Sequence, residues 1–254
     1  MTAPTTCRAR LAAIVVAIVV ASRPTPAQAP TLVRPLDGAA RGVLTIGVGV
    51  QPAVVLTLGY LHAVGRTRRG AADGTRVGLR LKLPTTALHN EAWRAELLGT
   101  TAPGSVRGWA VPVTGAVFAA HDRNRAGSML GFGTELRIAP GRYGTRGALA
   151  LDVGWQATLR TRVRHSAATR ATFDERYLHG VGPASGIDGP VDGWYGHTAS
   201  RWRLGLAGSR AAGERAVLQL AVGALGAPQR QGVLLGFDLG QIPFYTEAGV
   251  RLGW

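Results

Sequence analysis

Apolar and polar residues alternate in short segments from Leu44 to the end of the chain. Successive side chains of a β-strand point to opposite faces, so each segment is predicted to be a strand with one apolar face. The clearest segment is 76–83, in which every second residue is Val or Leu and the residues between them are Arg, Gly or Lys. No helical period, internal repeat or second domain is visible, which predicts a single all-β domain.

The same alternation predicts further strands, separated by turns and loops rich in Gly, Pro and polar residues. Segment 90–98 fits either a short helix or a strand with Arg94 and Glu96 on its polar face, and we interpret it as a strand. Pro112 lies within segment 109–117 and counts against a regular central strand there. The remaining predicted strands are 44–50, 54–60, 130–138, 149–162, 201–206, 218–222, 233–239 and 244–254.

The last segment, 244–254, ends on an aromatic residue of its apolar face. A frayed terminus rarely ends on an exposed Trp, so this strand is predicted to close a barrel. Its polar, glycine, apolar and terminal aromatic positions resemble the C-terminal signal of bacterial outer-membrane β-barrels, and they are Glu247, Gly249, Leu252 and Trp254. The resemblance implies a closed antiparallel transmembrane barrel, surrounded by outer-membrane lipid and inserted by the barrel-assembly machinery. It identifies no particular family, and the oligomeric state stays open.

Alternation does not reveal whether the apolar faces point into a soluble barrel or outward to lipid. The outward direction is favoured because the opposite faces are rich in Gly and charge, and because many apolar runs have the length of a tilted membrane strand. A sheet crosses a bilayer only when closed, since every backbone donor must be satisfied there. Aromatic residues near the predicted strand ends are typical of interface girdles, and these are Tyr60, Trp93, Trp109, Trp202 and Trp254.

The strand count conflicts with the even number typical of bacterial barrels, because the alternating segments number eleven. A further strand within the aperiodic loop 164–198, around residues 172–180, gives twelve. Omitting 90–100 gives ten, but it places the long loop on the periplasmic side. Because short turns are expected in the periplasm and long loops outside, we favour twelve strands, with ten as the alternative.

Residues 1–29 have the features of a cleaved signal peptide: a basic start, a short apolar core and the small-x-small triplet 27–29. A second candidate cleavage site is 19–21. Cleavage after Ala29 removes Cys7, the sole cysteine, and leaves no thiol-based metal site or disulfide. Residues 30–40 are predicted to be a periplasmic lead-in, and residues 41–254 the barrel.

The net charge is +15, and Lys82 is the only lysine. Scattered arginines fit a GC-rich genome as well as an anionic partner. On the predicted inner faces, the basic candidates for lining the lumen are Arg76, Arg80, Lys82, Arg94, Arg137, Arg160, Arg162, Arg201, Arg203 and Arg251. The acidic candidates are Glu96, Glu135, Asp152, Asp238 and Glu247. These side chains predict either an anion-selective channel or a plug of paired charges that fills a narrow barrel.

Other chemistry receives little support from the sequence. Lipid A 3-O-deacylases and outer-membrane phospholipases use a His-x-Ser pair, and none of the six histidines has Ser two residues later; the nearest arrangements are at His165 and His197. The acids and histidines of loop 164–198 match no metal-ligand spacing, so no metal and no cofactor are expected. The basic residues near Arg66 are too few for a nucleic-acid surface.

The sequence therefore predicts location better than activity. The leading hypothesis is a small outer-membrane barrel with a structural or surface-interaction role carried by its external loops. The second is a passive channel for small anions or polar solutes. The third is a lipid-modifying hydrolase of the outer membrane.

Overall fold

The structure, a computed structural model, describes residues 40–51, 53–64, 75–84, 92–101, 106–124, 127–173, 192–226 and 244–254. The predicted signal peptide, most of the predicted lead-in and the predicted strand 233–239 lie outside these residues.

Within the described residues, twelve strands form one antiparallel sheet, and ten of them close into a barrel. Because β9 pairs with both β7 and β10, while β12 pairs with β1, every barrel strand has a neighbour on each side and no edge remains open. The strands are β1 (Gly42–Gln51), β2 (Ala53–Val64), β3 (Thr75–Pro84), β4 (Trp93–Thr101), β5 (Trp109–Ala110), β6 (Val113–Asn124), β7 (Gly127–Ile138), β8 (Gly141–Tyr143), β9 (Gly147–His165), β10 (Gly193–Ala211), β11 (Ala216–Gly226) and β12 (Phe244–Gly253).

The closed antiparallel barrel is confirmed, with the alternative count of ten barrel strands. Segment 90–98 is a strand, β4, as predicted. The prediction of an extra strand around residues 172–180 is wrong for its first two residues, because residues 172 and 173 belong to the short helix α1 (Ala167–Phe173). Residues 174–180 lie outside the described residues. The count is even because β11 pairs directly with β12, so the described ring closes without segment 233–239. No helix in the described part of the chain is long and apolar enough to cross a membrane.

The last strand joins the first as the sequence predicted for a closing strand. Val43 faces Gly253 and Val50 faces Thr246 across the β1–β12 pair. The amide and carbonyl of Trp254 bond Gly42 at 3.1 Å in both directions. Both chain termini of the barrel therefore lie at one end, called here the termini end; the opposite end, which holds Gln51 and His165, is the far end.

The faces point as predicted over most of the barrel. Leu79 is 65% exposed and its neighbour Arg80 is 3% exposed, and the same contrast separates Leu151 from Asp152. The outer face is therefore largely apolar and the lumen is polar, the arrangement that a lipid surround requires. At the termini end, the short strand β5 precedes β6 and the short strand β8 follows β7, and the two short strands pair with each other. The break between β5 and β6 lies at Pro112, where the sequence predicted an interruption.

Aromatic side chains mark both ends of the outer face. Tyr60 stacks on Trp254 at the termini end, with ring centroids 6.0 Å apart. At the far end, Trp93 stacks on His121 at 6.0 Å, and cross-strand pairing continues this row through Leu130 and Arg162 to Trp194. Trp202 lies instead near the middle of β10, opposite Trp155, so its predicted place near a strand end is wrong.

One irregularity reverses the pattern in β9. Thr158 pairs with Gly133 and Arg160 pairs with Phe132, so Leu159 is an extra residue relative to β7, a β-bulge. A matching shift lies between Gly196 and Ala199 on β10. Because side chains alternate with a period of two, one extra residue exchanges the inner and outer positions beyond it.

Candidate functional site

Two layers of inward side chains occupy the lumen, one apolar and one charged. The layer near the termini end is apolar and is formed by inward side chains of five strands: Val43, Leu61, Leu98, Ala116 and Val217. Ala40 packs against this cluster, and its carbonyl accepts a hydrogen bond from Arg76 at 3.3 Å. The sequence interpretation missed this layer; its members occupy inward positions that the alternation marks correctly, but their side chains are apolar.

The second layer is a network of charges, and its first centre is the Glu96 carboxylate on β4. Arg80 and Lys82 on the adjacent β3 donate to Glu96, because the antiparallel register places Arg80 directly opposite it. Arg94, two residues before Glu96 on the same face, approaches the same carboxylate at 2.6 Å. Three cations thus share one carboxylate, and these four side chains are at most 1% exposed.

Arg94 connects the Glu96 centre to residues on β7 and β9. Its two terminal nitrogens donate to Glu135 on β7 and to Gln156 on β9, both at 2.7 Å. Its guanidinium carbon lies 3.7 Å from the centroid of the Phe118 ring on the intervening β6. Planar guanidinium groups suit this geometry because they form several directed hydrogen bonds and stack on an aromatic face at the same time.

The second centre is the Asp152 carboxylate on β9. Arg137 donates to both of its oxygens, at 2.8 and 2.9 Å, and Arg203 on β10 donates to one of them. The Tyr245 hydroxyl donates to Asp152 at 3.0 Å, while Arg203 also lies 3.4 Å from Glu247. The last strand therefore enters the network through two residues, and one of them is the polar position of the C-terminal signal.

A glycine makes room for these arginines. A Cβ atom at Gly154 would lie 2.8 Å from Cγ of Arg203 and 3.1 Å from Cγ of Arg137, both closer than ordinary van der Waals contact. Gly154 lies on the inner face between Asp152 and Gln156. The inward glycine therefore lets two long side chains pass over the β9 backbone to reach Asp152.

The network is almost inaccessible to water. Its charged members are between 0% and 5% exposed. Among the described residues, the buried charged side chains other than histidine comprise seven cations and four carboxylates, which leaves an excess of positive charge. The cations are Arg76, Arg80, Lys82, Arg94, Arg137, Arg203 and Arg251, and the carboxylates are Glu96, Glu135, Asp152 and Glu247.

The structure places most of the predicted lumen residues inside. Arg201 points inward on β10 and is half-buried. Arg160 and Arg162 are on the outer face and exposed, so their predicted place in the lumen is wrong, because the bulge at Leu159 reverses the alternation beyond it. Asp238 lies outside the described residues. Of the C-terminal signal, Glu247 and Gly249 face inward, while Leu252 and Trp254 are exposed on the outer face.

Three polar or aromatic partners in the network were not singled out from the sequence. They are Tyr245, Gln156 and Phe118; the first two occupy inward positions of predicted strands, and Phe118 follows directly after the predicted segment 109–117. The signal that marks them is their position in the alternation alone, because Tyr, Gln and Phe carry no charge that would identify them as members of a charge network.

A smaller polar cluster joins β9, α1 and β10 at the far end. The His165 amide and its ring Nδ1 both bond the Asp192 carboxylate at 2.8 Å, and Arg170 of α1 donates to the same carboxylate. Burial raises the pKa of Asp192, but the hydrogen bonds from His165 and the charge of Arg170 outweigh it and lower the pKa overall. We call these three residues the far-end clasp.

The far-end clasp uses the histidine that the sequence offered as an enzyme candidate. The Ser166 hydroxyl accepts the Thr169 amide at 3.1 Å, which caps the start of α1. His165 is oriented toward Asp192, and the side chain of His197 lies outside the described part of the structure. In the described ranges, no group of three or more His, Cys, Asp or Glu is arranged to hold a metal ion.

Comparison with known proteins identifies no family for the chain. No family model matches the chain, and no curated protein matches it. Among solved structures, the chain is similar to the KdgM porin in complex with disordered oligogalacturonate, with a TM-score of 0.37 and 7% identity over 84% of this chain and 99% of that one. A second KdgM porin structure gives a TM-score of 0.33 and 6% identity over the same shares. At such values, what those proteins bind says nothing about what this chain binds.

Proposed function

We propose that the protein is an outer-membrane β-barrel with a closed lumen and a structural or surface-interaction role. The apolar outer face, the aromatic rows at both ends and the absence of an open edge among the paired barrel strands support a lipid surround. Trp109 on β5 and His121 on β6, the barrel strand that follows it, are separated by roughly 30 Å along the axis at a rise of about 3.3 Å per residue and a tilt of about 40°. That separation matches the hydrocarbon thickness.

One observation carries the closed lumen: each buried carboxylate contacts at least one arginine, and the charged side chains are almost inaccessible to water. Breaking such a pair leaves a buried charge without compensation, which costs about 3–5 kcal/mol, so the plug is not expected to open spontaneously at a useful rate. A barrel of this kind holds its strands in place and presents its far-end loops, without passing solutes.

The test is electrical and uses the purified barrel. Heat-modifiable gel mobility of the outer-membrane fraction should first show that the chain forms a closed barrel in that membrane. In planar bilayers the same protein should give no conductance steps. Steady steps from the wild-type protein would contradict the closed lumen, while a chain without heat-modifiable mobility would contradict the barrel in the membrane.

The second candidate, an anion channel, is supported by the excess of buried positive charge. If the plug can be released, the remaining charges should favour anions. The double variant Glu96→Gln, Asp152→Asn removes both carboxylate centres and leaves their arginines to repel one another. We expect this variant to conduct with a preference for chloride over potassium. The matched control is Arg142→Gln, Arg210→Gln, which changes two exposed outer residues at the termini end and should stay silent.

We propose that the last strand also serves as the signal read by the barrel-assembly machinery. Trp254 supports this because its side chain is 58% exposed on the outer face, where a partner can contact it before the barrel closes. Trp254→Ala should reduce the folded fraction in cells more than it reduces spontaneous folding into vesicles. Tyr60→Ala is the matched control, because Tyr60 stacks on the same ring and loses the same contact. Equal losses in cells and vesicles for both variants would contradict a signalling role.

A further inference from the structure

The outer face of the far half carries a groove that the closed lumen does not use. It has a volume of about 720 Å³ and extends across the outer sides of β4, β6 and β7. Small outward side chains lie within it at Ala95, Ala119 and Thr134, while Leu97 and Phe132 are larger and exposed beside them. A run of small residues between large ones makes a furrow in an otherwise even apolar surface.

Two cations stand at one end of this groove. Arg160 lines it directly, and Arg162 follows two residues later on the same face. Their guanidinium carbons lie 5.7 and 5.9 Å from the centroid of the Trp194 ring, which itself stacks on Phe132 at 6.1 Å. Trp194 therefore connects the apolar groove to the pair of positive charges.

In the described part of the chain, these cations have no acidic partner of their own. Among the residues that the structure describes, no carboxylate forms an ion pair with Arg160 or Arg162. Two like charges held at one indole ring repel each other, and an anion between them would relieve that repulsion. Arg162 also belongs to the row of cross-strand neighbours that joins Trp93 to Trp194, the level at which lipid headgroups meet a barrel.

We infer that this groove binds a membrane lipid with an anionic phosphate headgroup, its acyl chain along Ala95 and Ala119 and its phosphate between Arg160 and Arg162. Guanidinium groups are suited to phosphate because they donate parallel hydrogen bonds to two of its oxygens. The inference rests on the proposed place of the barrel in a membrane. It also gives the bulge at Leu159 a use, because without the extra residue both arginines would face the lumen.

The experiment measures lipid binding to the purified, folded barrel by native mass spectrometry from detergent. The wild-type protein is titrated with dioleoyl phosphatidic acid, with dioleoyl phosphatidylcholine and with inorganic phosphate. Phosphatidic acid should bind at least about tenfold more tightly than either of the others, since it alone combines a net negative headgroup with acyl chains. Equal affinity for both lipids overturns the inference, as does inorganic phosphate binding as tightly as phosphatidic acid.

Matched variants locate the site. The double variant with both Arg160→Gln and Arg162→Gln should weaken phosphatidic acid binding by about fivefold or more, because it removes the positive charge. The single variant Ala119→Phe should weaken binding by a similar factor, because its ring fills the groove. Arg142→Gln, Arg210→Gln makes the same charge change at the termini end, and Ala248→Phe adds the same ring to the outer face of β12. Neither control should change binding.

The outcomes separate the two proposals. Equal losses in the site variants and the controls overturn the groove as a lipid site, and a wild-type chain that folds but shows no lipid preference does the same while leaving the membrane barrel intact. A chain that fails to show heat-modifiable mobility in membranes overturns both proposals.

Discussion

Arginines on the termini side and on the far side of Leu159 lie in opposite surroundings, although the sequence presents them in the same way. Arg137 and Arg203 occupy the lumen and share Asp152, with exposures of 1% and 4%. Arg160 and Arg162 also alternate with uncharged residues, but they are exposed on the outer face beside Trp194. The position of Arg160 and Arg162 comes from one inserted residue on β9, so backbone register, and not residue type, decides whether an arginine of this strand lies in the lumen or on the outer face.

The largest expected effect comes from deleting Leu159. The deletion restores a continuous alternation, which turns Arg160 and Arg162 into the lumen and turns Val163 and His165 toward lipid. We expect the variant to lose heat-modifiable mobility in the outer-membrane fraction. Leu159→Ala keeps the residue count and should retain that mobility. A deletion variant that folds as well as the wild type would contradict the bulge as the cause of the difference.

The next effect is at the second charge centre. Asp152→Asn leaves Arg137 and Arg203 buried with one carboxylate fewer, which should lower the free energy of unfolding by about 3–5 kcal/mol. Urea titration of the barrel refolded into vesicles measures the change. The matched variant on the outer face is Arg160→Gln. Its free energy of unfolding should stay within about 0.5 kcal/mol of the wild-type value, because the Arg160 side chain is exposed. Similar losses in the two variants would remove the distinction between the inner and outer sets.

A smaller effect is expected where a glycine accommodates the inner arginines. Gly154→Ala places a methyl group 2.8 Å from Cγ of Arg203, which is pinned at its far end by Asp152, and should cost about 1–3 kcal/mol. Gly59→Ala is the control, because its Cβ would lie 3.7 Å from Cγ of Arg80, an ordinary contact. The same urea titration should separate the two variants; equal stabilities would show that the arginines shift freely.

The smallest effect concerns the far-end clasp above the bulge. Because the pKa of Asp192 is lowered in the folded protein, its stabilising contribution is present above the usual carboxyl pKa of about 3.9 and is lost as the pH falls through the lower, folded value. Hydrogen exchange at the His165 and Arg170 amides should accelerate below that pH relative to the barrel core. The contribution is at most about 1 kcal/mol, since the carboxylate is partly exposed. Asp192→Asn should remove the excess acceleration.

The parts of the fold that follow from alternation could be predicted from the sequence. Arg80 and Leu79 lie on the faces that their parity assigns, and the closing strand pairs with the first as its aromatic end suggested. The twofold period survives in any strand that lacks an insertion, so local pattern is sufficient there. Proline at position 112 correctly marked the break between β5 and β6.

What could not be predicted depends on contacts between distant strands. A bulge at Leu159 leaves no trace in hydrophobicity, because both Leu159 and Arg160 are compatible with the rim of a membrane barrel. Which carboxylate pairs with which arginine is set by register, as Asp152 and Arg203 are 51 residues apart in the sequence. The inward Leu98 and Val43 were missed as a layer because apolar residues were expected only outside.

Lys82, at 0% exposure, is the only lysine of the chain. In the barrel it lies beside Glu96, where neither an acylating reagent nor a lysine-specific protease has access to its amine. The side chain becomes available when the β3–β4 wall opens. Acylation or cleavage at Lys82 would therefore measure separation of β3 from β4 in living cells or in crude membranes. The measurement needs no engineered label, and no other lysine of the same protein contributes to it.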